Sequence, residues 1–92
     1  MIKSFKHEGL KCFFEDNDKK KIFPKHAQKL KLILDSLDAA TKIKDINFPG
    51  SRLHLLNPKK NKIWALDVSG NWRVIFKFID NNVYVVDYTD YH

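Results

Sequence analysis

Trp72-Arg73-Val74-Ile75-Phe76-Lys77-Phe78-Ile79 is the stretch that decides the fold. In an extended chain Trp72, Val74, Phe76 and Phe78 fall on one side, and Arg73, Ile75, Lys77 and Ile79 on the other. The alternation predicts a strand that packs its first set on a core and turns Arg73 and Lys77 to the opposite face. Ser69-Gly70-Asn71 before it and Asp80-Asn81-Asn82 after it are turn residues of hairpin length. Residues 63–68, with Trp64, Leu66 and Val68 on one face, and residues 83–88 therefore read as its neighbours. Residues 52–56, ended by Asn57-Pro58, supply a fourth strand. Strands joined by such short loops pair antiparallel, so the C-terminal half is a meander.

Upstream of the Pro49-Gly50 break the period changes. Pro24 suits the first turn of a helix, and Ala27, Leu30, Ile33, Leu34 and Leu37 then repeat at amphipathic spacing. Lys25, Lys29 and Lys31 populate the flanks and outer surface. Glu8 to Asp16 predicts an earlier helix with Leu10, Phe13 and Phe14 on one side. Residues 2–5 read as a short first strand, and residues 41–46 as a turn or short helix. The order predicts an α+β fold whose sheet packs one face on the helices. Ninety-two residues suit a single domain over 1–92.

Composition narrows the function classes. An apolar share of 43% is enough for a core and argues against disorder. The start, Met1 to His7, has no apolar h-region, and no apolar run approaches the roughly 20 residues of a membrane span. Cys12 has no partner for an internal disulfide and reads as a small apolar core residue. A cytoplasmic protein is expected. The net charge of +6 points to an anionic partner, although solvated lysines also keep a protein soluble. The distribution is more telling. Arg52, Lys59, Lys60, Lys62, Arg73 and Lys77 lie in one window against a single acid, Asp67. Both arginines of the chain are there, and arginine is the better phosphate fork.

The residues able to move protons gather at the end, in Asp90-Tyr91-His92, with His54 on the first meander strand. Taken alone, a polar terminus is commonly a frayed tail, and a lone strand histidine is commonly structural. Together they hold the parts for RNA cleavage without a metal. That reaction needs a base for the 2′-hydroxyl, an acid for the leaving 5′-oxygen, and cations for the charge growing on phosphorus. Histidine, with a reference pKa near ~6.5, serves either proton role. No cofactor or metal is expected. His7, His26, His54 and His92 lack paired zinc spacing, and neither a nucleotide-binding glycine loop nor a nucleophile elbow is present.

Arg52-Leu53-His54-Leu55-Leu56, Trp64, Val68, Asn71-Trp72-Arg73-Val74, Phe76, Phe78 and the closing Asp90-Tyr91-His92 resemble the HigB family of the RelE/ParE superfamily. The opening residues 1–7 are similar too, and the resemblance runs end to end. It implies a compact RelE-like microbial ribonuclease fold and a toxin of a type II toxin–antitoxin module. The implied activity is a ribosome-dependent mRNA endonuclease leaving 2′,3′-cyclic phosphate and 5′-hydroxyl ends, which inhibits translation. Implied partners are the 70S ribosome with its mRNA and a cognate helix-turn-helix antitoxin, HigA-like, which alone would bring it to operator DNA. No membrane partner is implied. Carried over residue by residue, His54, Asp90, Tyr91 and His92 handle protons and Arg73 binds phosphate. Lys59, Lys60 and Lys77 are further candidates for RNA contacts. Two departures stand out. The Pro-Leu-Lys-Gly common after the family histidine is here Leu55-Leu56-Asn57-Pro58, and Val68-Ser69 replaces a basic residue before the hairpin turn. The lost cations keep open a non-catalytic ParE-type poison of DNA gyrase, and a plain basic binding module, such as a ribosome-associated factor without toxicity, is the third reading.

Overall fold

A computed structural model of the chain describes residues 1–46, 49–57 and 62–90, without the side chain of Asn57. Helix α1 is Glu8–Asp16 and helix α2 is Ala27–Ala39, entered through one 3-10 turn at Pro24–His26. After a second 3-10 turn at Ile43–Asp45 come β1 (His54–Asn57), β2 (Ile63–Ser69), β3 (Trp72–Ile79) and β4 (Asn82–Asp90). The strands form one antiparallel sheet in chain order.

Local chemistry sets each boundary. His7 caps α1, its Nδ1 accepting the N–H of Leu10 at 2.9 Å. Asn17 ends the helix in the left-handed region at φ 56°, and its N–H returns to the Phe13 carbonyl at 3.0 Å. Asp80 and Asn81 take φ of 50° and 67°, the pair of positive values that a type I′ hairpin turn requires. Gly70, at φ 57°, supplies the positive angle of the β2–β3 turn.

Leu30, Ile33, Leu34 and Leu37 of α2 and Leu10 and Phe13 of α1 are buried against Leu66, Val74, Phe76, Val83 and Val86 of the sheet. The helix-facing set is thus the one that the alternation of β3 marks out. Among the described residues no helix is long and apolar enough to cross a membrane.

Three expectations need correction. Residues 2–5 do not build a regular strand; they make two isolated parallel bridges to β4, Ile2 to Val83 and Phe5 to Val86. The reason lies in β4, where Val85 at φ 50° leaves the ladder and its N–H is taken by Ser4 Oγ at 2.9 Å. The first meander strand starts at His54 rather than Arg52, because Arg52 sits at φ 43° and is not extended. Cys12 is half-buried rather than a core residue.

His26 is a buried polar side chain that ties the layers together, 2% exposed. Its Nδ1 lies 2.5 Å from the Tyr88 hydroxyl. Phe23 and Trp72 meet its ring edge-on at 5.6 and 6.0 Å, and Nε2 has no hydrogen-bond partner among the described residues. A neutral ring that accepts the Tyr88 proton at Nδ1 fits this aromatic cage. Desolvation, then the charges of Lys25 and Lys29, lower the His26 pKa. An unfolded chain therefore binds the proton more readily, so stability is complete above the ordinary histidine value and falls as pH drops below it. The expected loss on acidification below pH ~6.5 is at most about 1.4 kcal/mol per pH unit for this one proton. Thermal melts at stepped pH should show that slope, and His26→Gln should flatten it. An unchanged slope in His26→Gln would place the effect elsewhere.

Candidate active site

The face of the sheet away from the helices is read directly from the strand register. His54 pairs with Ala65, Ala65 with Ile75, and Ile75 with Asp87, so these four share a row. Asp67, Arg73 and Thr89 form the next row, and Ile63, Lys77 and Tyr84 the row on the other side. Directly paired residues project to the same side. His54, Arg73 and Lys77, three of the residues singled out by sequence, therefore lie together on this open face.

His54 has a defined tautomer. Its Nδ1 lies 2.7 Å from the main-chain carbonyl of Arg52. A carbonyl can only accept, so Nδ1 carries a proton and neutral His54 keeps its lone pair on Nε2. Arg52, which offers that carbonyl, is in the left-handed region at φ 43°.

Arg73 is held by a residue that sequence reasoning passed over. Asp67 accepts from Arg73 Nε through Oδ1 and from Arg52 Nε through Oδ2, both at 3.0 Å. The single acid of the basic window thus holds both arginines of the chain, against β2 and each through its inner nitrogen. The side chain of Arg73 is 21% exposed and that of Arg52 64%, so the first is set into the sheet and the second reaches solvent. A signal for Asp67 was present: residues 67 and 73 are equidistant from Gly70, which is where hairpin pairing puts a cross-strand ion pair.

Asp90 closes β4 opposite Trp72, one row beyond Arg73 and Thr89. Pairing gives it the Trp72 side, at the end of the sheet rather than on the open face. Beneath it Trp72 stacks on Tyr88 with ring centroids 4.7 Å apart, so the base of the terminal segment is anchored in the core. Tyr91, His92, Lys59 and Lys60 lie outside the described residues.

Comparison with known proteins bears on this face. Residues 3–92 match the family model described as RelE-like toxin of type II toxin-antitoxin system HigB. The chain belongs to the HigB-like toxin family. It is 37% identical to a protein of Proteus vulgaris named Endoribonuclease HigB, over the full length of both chains. An uncharacterized protein of Haemophilus influenzae is 33% identical over 81 residues, 86% of this chain and 80% of that one. The helices packed on an antiparallel sheet agree with membership of the HigB-like family, and a type II system implies an antitoxin partner.

Proposed function

We propose that this HigB-like toxin is a metal-independent endoribonuclease that cuts mRNA on the translating ribosome. The observation that carries the reading is His54, fixed with a basic Nε2, on the same sheet face as Arg73. His54 Nε2 takes the proton of a ribose 2′-hydroxyl. The 2′-oxygen then bonds to the adjacent phosphorus, and the bond from phosphorus to the 5′-oxygen breaks. Tyr91 and His92 supply the proton that returns to that 5′-oxygen, with Asp90 at the end of β4 orienting them, leaving a 2′,3′-cyclic phosphate and a 5′-hydroxyl. Arg73 stabilises the charge on the phosphoryl oxygens. Lys77, with Lys59 and Lys60, contributes to RNA affinity, which falls with salt as phosphate contacts do. The name of the Proteus vulgaris relative supports the class of activity. A HigA-like helix-turn-helix antitoxin restrains the toxin and links it to operator DNA, and the site of action is the cytoplasm.

Expression of the chain alone, with transcript 5′ ends mapped, tests the reading. New 5′-hydroxyl ends inside open reading frames, lost when translation is blocked, are expected. Combining His54→Ala with His92→Ala should lower cutting by roughly 10²-fold or more while antitoxin binding persists. Growth arrest with intact transcripts and broken DNA would reassign the chain to gyrase poisoning. Full cutting by the double variant would remove both histidines from the chemistry.

A further inference from the structure

The open face also carries a cavity that the proton-handling group does not use. It holds about 270 Å³ and is lined by Lys6, Ile63, Ile75, Lys77, Val85 and Asp87, with Phe76 of β3 at its floor. A β-bulge opens it. Ile75 pairs with Asp87 and Lys77 with Tyr84, so one residue of β3 stands opposite two of β4, Val85 and Val86. Val85 takes φ 50°, a conformation that β-branched side chains disfavour, and it is 41% exposed. The N-terminal segment holds it there: Ser4 Oγ accepts the Val85 N–H at 2.9 Å and the Ser4 carbonyl the Val86 N–H at 3.1 Å. A strained, exposed valine kept in place by two hydrogen bonds is a feature expected at a binding site.

We infer that this cavity is a nucleobase subsite, and that Asp87 selects the base; the inference rests on the endonuclease reading above. Ile63, Ile75 and Val85 offer aliphatic surface to the face of a flat ring. The polar groups at the margin are one carboxylate and two ammonium groups. Asp87 Oδ1 already accepts its neighbour's N–H at 2.9 Å, which fixes the carboxylate plane. That carboxylate accepts from an exocyclic amino group, as adenine, cytosine and guanine present. Uracil has only an imino N–H flanked by two carbonyl oxygens, which would face the carboxylate and repel it. Lys6 and Lys77 supply charge for the adjoining phosphate. Arg73, Ile75 and Lys77 project in line from one strand, roughly 7 Å apart at each step, so the subsite lies beside the scissile phosphate bound at Arg73.

The test is the base profile around mapped cuts for the natural chain, Asp87→Asn and Val85→Gly, each first shown to melt cooperatively. In the natural chain uridine should be depleted about fivefold or more at one fixed position near the cut. Asp87→Asn should erase that depletion at that position alone. Val85→Gly relieves the positive φ, so its melting temperature should hold or rise while the same bias weakens. Abundant cuts with identical profiles in all three proteins would overturn the subsite and leave the endonuclease standing. No cuts by the natural chain would remove the endonuclease reading, and the subsite with it.

Discussion

Arg73→Ala is expected to slow mRNA cutting by roughly 10²–10³-fold while the protein still folds and binds its antitoxin. The size follows from where the guanidinium sits. It is set into the sheet beside the His54 row and held through Nε by Asp67, so it need not be ordered when a phosphate arrives. Loss of a preorganised cation removes stabilisation where negative charge develops, and water does not replace it. Arg73→Lys should recover little, since an ammonium cannot both pair with Asp67 and fork onto a phosphate. The fold should tolerate the change because Asp67 keeps its contact with Arg52. Asp67→Asn supplies the companion measurement. Weakening the tether while Arg73 stays should reduce turnover about tenfold, less than loss of the arginine itself. Single-turnover cleavage on programmed ribosomes reads both effects. An Arg73→Ala protein within about tenfold of the natural rate would move the phosphate contact to another cation.

What the sequence disclosed and what it hid divide along a physical line. Periodic burial was legible: Val74 and Phe76 of β3 are buried between half-buried neighbours, and Leu30, Ile33, Leu34 and Leu37 recur on the buried face of α2 while Leu32 is exposed. Face assignment follows from that for Arg73 and Lys77, which were expected together on the surface away from the helices; it is the β1–β2 register that brings His54 to them. Interactions that depend on register were not. Asp67 looked like one acid diluting a basic window, and only pairing across the Gly70 turn makes it the anchor of two arginines. The β4 bulge leaves no mark in composition, because Val83, Val85 and Val86 are all plausible strand residues whichever one steps out of the ladder. His26 drew notice only as a histidine without zinc spacing, and its link to Tyr88 spans 62 positions of the chain. The family resemblance could name Asp90 as a proton-handling residue, yet only the register places it on the Trp72 side at the end of the sheet.

The same alternation lets one strand serve stability and function separately, and Phe76 gives the largest test of that separation. Phe76 is 1% exposed and lies opposite Trp64 in the helix-facing set, beneath the two-residue bulge of β4. Phe76→Ala removes a buried ring between α2 and the central strands of the sheet, where paired backbone on β2 resists collapse into the space. A loss of about 3–5 kcal/mol is expected, a large share of the roughly 5–15 kcal/mol by which such domains are stable. The melting temperature should fall by roughly 15–30 °C. Ile75→Ala, one residue away on the open face, should cost about 1 kcal/mol, because its side chain is only partly buried. Its consequence should appear instead in the base profile of the cuts. Calorimetry on the two variants decides the matter: similar losses for Phe76 and Ile75 would mean that the two faces of β3 are not energetically distinct, and that the open face is itself part of the core.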